Sequence, residues 1–123
     1  MNKDTVIENL RKYPEVKSGE TASAFAILQC RHESEKLFLS YEWIKGQVDL
    51  SDYNYIKDYP LCDYARNEPV GKILNWLFES FNVDKPVDFH GHSMSVSDII
   101  AILTADGVKF YFVDSIGFKL LDL

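Results

Sequence analysis

One decapeptide, FHGHSMSVSD at residues 89–98, gathers most of the side chains in this chain that could do chemistry. If it is extended, His90 and His92 share one face, and Ser93, Ser95 and Ser97 take the other. Two imidazoles at i, i+2 bind a divalent metal when carboxylates complete the set, and Asp88, Asp98 and Asp114 are the carboxylates on hand. The HxH pair has no further matched spacing, so the plainer reading has both histidines decorating a loop. Gly91 would then supply a backbone conformation that other residues resist. Ser-His-Asp sets can be composed from Ser93 or Ser95, His90 or His92, and Asp98 or Asp114. A nucleophilic serine normally needs a strained elbow or an oxyanion donor set, and there is no G-x-S-x-G. Ser95 and Ser97 precede an apolar strand, where hydroxyls satisfy orphan amides. Asp98 and Asp114 either cap loops at opposite ends of a hairpin or bond the serine-rich loop and organise it. P-loop, GxGxxG, HExxH and EF-hand patterns are missing. The segment therefore predicts no catalytic residue, no cofactor and no metal.

The elements that must position this loop are legible on either side of it. Val70, Ile73, Leu74, Leu77, Phe78 and Phe81 form an apolar stripe that predicts a helix over 69–82, with Asn67 as N-cap and Pro69 in the first turn. Trp76 lies off that stripe, so its indole either packs under a loop or waits for a partner. After the loop, Ile99, Ile100, Ile102 and Leu103 predict a strand with two apolar sides. Asp106-Gly107 marks a hairpin, Val108, Phe110 and Phe112 line the return strand, and FKLLDL reads as a last short strand. Before the helix, SAFAILQC alternates Phe25 and Ile27 against Ala24, Ala26, Leu28 and Cys30, as a central strand covered on both sides does. LFLSYEWI (37–44) predicts a second strand pairing back, and Tyr53, Tyr55 and Tyr59 one face of a third, ended by Pro60. At the N-terminus a short helix carries Val6, Ile7, Leu10 and Tyr13 on one face. Thr5 and Glu8 have capping-box spacing, and Pro14 ends it. Residues 1–20 read as this helix and a polar linker, an appendage to a single domain over 21–123.

Composition bounds the rest. The chain has 123 residues, 46% of them hydrophobic and 17 aromatic, enough to pack one domain and too many for global disorder. No apolar run is long enough for a membrane span. Lys and Arg number 13 against 19 Asp and Glu, a net charge of −6, with no basic cluster to bind nucleic acid or an anionic membrane. Cys30 and Cys62 stand alone and read as small buried hydrophobes in a reducing cytosol. The fold class is α+β: a predominantly antiparallel sheet packed by one main helix, with a short N-terminal helix.

Several segments together resemble the YodL-like domain family. They are the AILQ strand, LSYEWI, DYNYIKDYPL, the stretch FNVDKPVDFHGHSMSVSD and the closing FVDSIGF, covering about residues 24–120. The most specific are DFHGHSMSVSDII and YFVDSIGF, which look like the family's two signature blocks. Asp88, Phe89, Gly91, His92, Ser93, Ser95, Val96, Ser97 and Asp98 match the first, and Val113, Asp114, Ser115, Gly117 and Phe118 the second. Ile116 stands where an aromatic is more usual, and the linker CDYARNEP before the helix is longer than usual. The resemblance implies a small domain of bacterial cells, phages and conjugative elements, sometimes beside antirestriction modules, and carries no enzymatic activity to transfer.

The expected function is a non-enzymatic protein-binding module, encoded by a mobile element, cytoplasmic, that modulates a host bacterial protein. Its candidate binding residues are Tyr53, Tyr55, Trp76, His90, His92, Ser93, Ser95, Asp98 and Asp114. A sharper version is an acidic antirestriction or anti-CRISPR inhibitor of a nuclease. The rivals are a metal-dependent enzyme built on His90, His92, Asp98 and Asp114, and an assembly domain whose outer strand pairs with a copy or a neighbour.

Overall fold

A computed structural model describes residues 1–123. Its element order is α1 (Lys3–Leu10), β1 (Ala22–Cys30), a 3₁₀ turn (Leu50–Asp52), β2 (Tyr53–Pro60), α2 (Val70–Val83), β3 (Ile99–Thr104), β4 (Gly107–Val113) and β5 (Phe118–Leu121). The five strands form one sheet in the order β2-β1-β3-β4-β5, antiparallel at every pairing. β1 lies inside the sheet between β2 and β3 and is buried along its whole length. Its two faces feed two cores. Phe25 and Ile27 meet α2 through Ile73, Leu74, Leu77 and Phe81. Ala24, Ala26, Leu28 and Cys30 meet Ile44, Leu50, Phe110 and Phe112. A strand buried on both faces must be apolar on both, which is why its alternation is of size more than of polarity.

α1 belongs to this second core. Val6 and Leu10 are fully buried in it, so the helix is not an appendage. Asn2, not Thr5, caps it: the Asn2 side-chain oxygen accepts from the Thr5 N–H at 3.0 Å. α2 begins after Pro69 without a side-chain cap, so Asn67 does not serve. The hairpin is as expected, with Thr104 opposite Gly107 across Ala105-Asp106 and φ of +111° at Gly107.

The expected strand over 37–44 does not form. Both edges of β1 are taken, by β2 and by β3. The segment instead folds through successive turns, with bonds from Ile44 N to Ser40 O and from Gly46 N to Tyr41 O. Positive φ at Phe38 (65°), near the segment's start, is incompatible with a regular paired strand, and Lys45 (54°) and Gly46 (68°) turn the chain just beyond it. Leu37, Tyr41 and Ile44 turn inward onto the second core, at helix-like spacing. Phe38, Leu39 and Trp43 turn outward. Alternation alone does not separate these arrangements, since the same apolar residues can be partitioned either way. No helix is long and apolar enough to cross a membrane.

Candidate functional site

The antiparallel sheet brings the C-terminal ends of β1 and β4 together with the starts of β2, β3 and β5. Cys30 pairs with Tyr53, Leu28 with Ile99, Ile99 with Phe112, and Val113 with Phe118. The 89–98 loop, the 114–117 turn and the 31–50 excursion all close over this end.

At its centre Asp98 is fully buried. Its Oδ2 accepts from Ser95 N (2.9 Å) and from Gln29 Nε2 (3.1 Å). The Gln29 amide also donates to the His92 carbonyl (2.9 Å), and its oxygen accepts from His92 N (3.1 Å). Burial pushes the Asp98 carboxyl up to about 7, against the two donors that favour its anion. The second carboxyl oxygen, Oδ1, has no hydrogen-bond partner and lies 3.8 Å from His92 Nε2, which is also buried and unpartnered. The other ring nitrogen, Nδ1, is 2.7 Å from the Ser93 carbonyl. Gln29 Nε2 is 3.3 Å from the same nitrogen, but its two hydrogens go to the His92 carbonyl and to Asp98; a carbonyl only accepts, so the shorter contact to Ser93 places the proton on Nδ1. Nδ1 is thus engaged, and Nε2 is buried without a hydrogen-bond partner.

Ser97 joins this network to the 31–50 excursion. Its N–H donates to Val113 O (2.9 Å), its carbonyl accepts from the Tyr53 hydroxyl (2.6 Å), and its Oγ accepts from Phe38 N (3.0 Å). Ser97 (φ 83°) and Phe38 (φ 65°) both occupy the left-handed region, at a cost on the order of 1 kcal/mol or more each. Two strained residues bonded to each other mark a place where the surrounding structure dictates the backbone. The Phe38 ring meets the His92 ring edge-on, with centroids 5.6 Å apart, and His32 stands on the same imidazole at 6.2 Å. Asp114 ties the second block to the same excursion, accepting from Tyr41 N (3.1 Å) and Ser115 N (2.8 Å).

The expected site residues thus divide. His92, Ser95 and Asp98 bond within the serine-rich loop and to β1, so Asp98 takes the second of the two roles, whereas Asp114 bonds Tyr41 and its own turn and not that loop. The loop is not extended, so the two histidines do not share a face: His92 turns in and His90 stays exposed, as does Ser93. No three His, Cys, Asp or Glu side chains converge as metal ligands. Tyr53 is buried, its hydroxyl spent on Ser97, and so presents no surface. Tyr55 is half-buried and donates to Asp58 Oδ2 (2.6 Å), beside α1. Trp76 is half-buried against the first core, with Tyr64 edge-on at 5.7 Å, away from the loops. Cys30 is buried and Cys62 only half-buried, both as free thiols. Gly91 is needed for space and not for an unusual φ: a Cβ there would sit 2.4 Å from Gln29 Oε1 and 2.8 Å from Phe89 Cζ.

Gln29 and Phe38 were not among the candidates. The signal for Gln29 was a lone amide in an interior strand whose one other polar residue is Ser23. Phe38 carried none, because its placement depends on tertiary strain. On the loops tied to the network, Phe38 (53% exposed), Leu39, Trp43 (78%) and Ile116 (89%) are large apolar side chains left in solvent, here called the rim.

The family model described as YodL-like domain matches residues 24–123. No curated protein and no solved structure matches the chain.

Proposed function

The chain belongs to the YodL-like domain family, and from that premise we propose that it is a non-enzymatic protein-binding module that uses the end of the sheet where its two blocks meet. One observation carries this reading. The polar side chains His92, Ser97, Asp98 and Asp114 are engaged inside the protein, while the segment they fix in place turns Phe38, Leu39 and Trp43 outward beside Ile116. Scattered single apolar residues on a surface mean little. Two large aromatics and two aliphatics on loops tied to one buried network have the composition of an interface anchor. The family resemblance makes a host bacterial protein the target class, with the gene on a mobile element.

The rim is apolar, so its complex should persist at high salt, whereas a nucleic-acid mimic would release its partner. The test places a photo-crosslinking phenylalanine analogue at position 43 and irradiates the protein in bacterial lysate at 0.1 and 0.5 M salt (roughly two-fold different screening lengths). The expected result is one crosslinked protein at both salts that is missing when the analogue replaces Lys57, on the opposite edge strand. No adduct at either salt, or equal adducts from both positions, overturns the reading.

A further inference from the structure

The buried pair His92–Asp98 presents two polar atoms to each other, Nε2 and Oδ1, and neither has another partner. With Nδ1 protonated toward the Ser93 carbonyl, a neutral imidazole offers a lone pair at Nε2. An ionised Asp98 would offer a second lone pair and a negative charge across the same dry gap. The facing atoms attract only when one proton lies between them, on either side. We propose that His92 and Asp98 form a one-proton latch on the rim: with the proton in place the 89–98 loop is closed and Phe38 is presented, and its loss opens the loop and withdraws Phe38. This rests on the reading of that end as the binding surface only in what the latch is for, not in whether it exists.

The path from the proton to the rim is short. An anionic Asp98 finds its cheapest relief if the His92 ring, a quarter exposed, swings out toward water. That motion removes the imidazole from the Phe38 edge and from the Gln29 amide, whose Nε2 stands 3.3 Å from Nδ1. Ser97 and Phe38, held in left-handed conformations by their mutual bond, then relax. Burial of Asp98 sets this release near neutral pH. Other titratable groups stand around the pair. They are the Cys30 thiol and His32 at the end of β1, and Asp52 and the Tyr53 hydroxyl at the start of β2. Arg31 and Lys36 are drawn to Asp52, and Asp114 is held by backbone amides beyond the excursion. None of these supplies a hydrogen bond to Nε2 or Oδ1.

The test needs no partner. Amide exchange of Phe38 is followed by NMR from pH 5.5 to 8.5, corrected for base catalysis, in the wild type and in Asp98→Asn. The asparagine amide donates to Nε2 at every pH and so mimics the protonated latch. Tyr41 N–H, bonded to Asp114, is the internal control. The latch predicts that Phe38 protection in the wild type falls about tenfold or more through neutral pH while Tyr41 holds, and that Asp98→Asn stays flat. Constant Phe38 protection in the wild type overturns it, as does the same fall in Asp98→Asn. If the variant does not fold, the wild-type contrast between Phe38 and Tyr41 decides. A failed latch leaves the position-43 crosslink untouched, and a failed crosslink leaves the titration untouched.

Discussion

Asp98 and Asp114 do the same job at one and the same end of the β3–β4 pair, and they do it in different solvents. Each accepts from a neighbouring loop amide and fixes part of the 31–50 excursion, Asp98 through Ser97 and Phe38, and Asp114 directly through Tyr41. Asp98 is fully buried and its carboxyl is pushed up to about 7. Asp114 is half-buried, in a turn whose other residues are exposed. The first block therefore stores a charge-dependent contribution to stability, and the second a plain hydrogen-bonded one. The contrast predicts which substitutions unfold the domain and which only strip its surface.

The largest effect should come from pH. In the folded chain Asp98 keeps its proton over a range where the unfolded chain, titrating near 4, has already lost it. Its stabilisation is fully present below about pH 4 and is lost as pH rises through about 7, a change of about 4 kcal/mol by linkage. Urea unfolding of the wild type and Asp98→Asn across pH 4–8 measures the difference between the two profiles, which should widen against the wild type. Parallel profiles would erase the contrast with Asp114.

Next comes Gly91→Ala, which forces a methyl group into Gln29 and Phe89. Overpacking of this kind costs about 2 kcal/mol and should show as a lowered urea midpoint at unchanged slope. Asp114→Ala should cost about 1 kcal/mol, since Tyr41 N and Ser115 N lose an acceptor near water. The smallest effect belongs to Trp43→Ser with Ile116→Ser, within about 0.5 kcal/mol in thermal unfolding, because both side chains already stand in solvent.

Much of the scaffold was legible because periodicity reports burial. The α2 stripe, the two-sided β1 and the β3–β4 hairpin carried their own patterns and formed where expected, within a residue or so. The 37–44 segment misled because its alternation fits a strand while β1 had no free edge to offer. Pairing is a property of the whole sheet, and one strand cannot announce it. Among the candidate residues, Asp98 and Asp114 stood out as carboxylates beside apolar strands, and His92 by its spacing from His90. What their types could not reveal was direction: Tyr53 and His92 point in, and His90 points out. Gln29 was readable as an amide on a buried strand. Phe38 was not, since a bulky residue in a left-handed conformation is dictated by its surroundings, here the Ser97 Oγ.

The account's central claim is that the blocks' polar side chains build a scaffold and the apolar rim does the binding. The most direct measurement compares two variants at equal protein concentration, in affinity capture from bacterial lysate with a urea midpoint for each. Trp43→Ser/Ile116→Ser alters the rim alone, and Trp76→Ala alters the far face of α2. The account predicts native stability with lost capture for the first, and retained capture for the second. A rim variant of native stability that still captures the same protein as the wild type would contradict it.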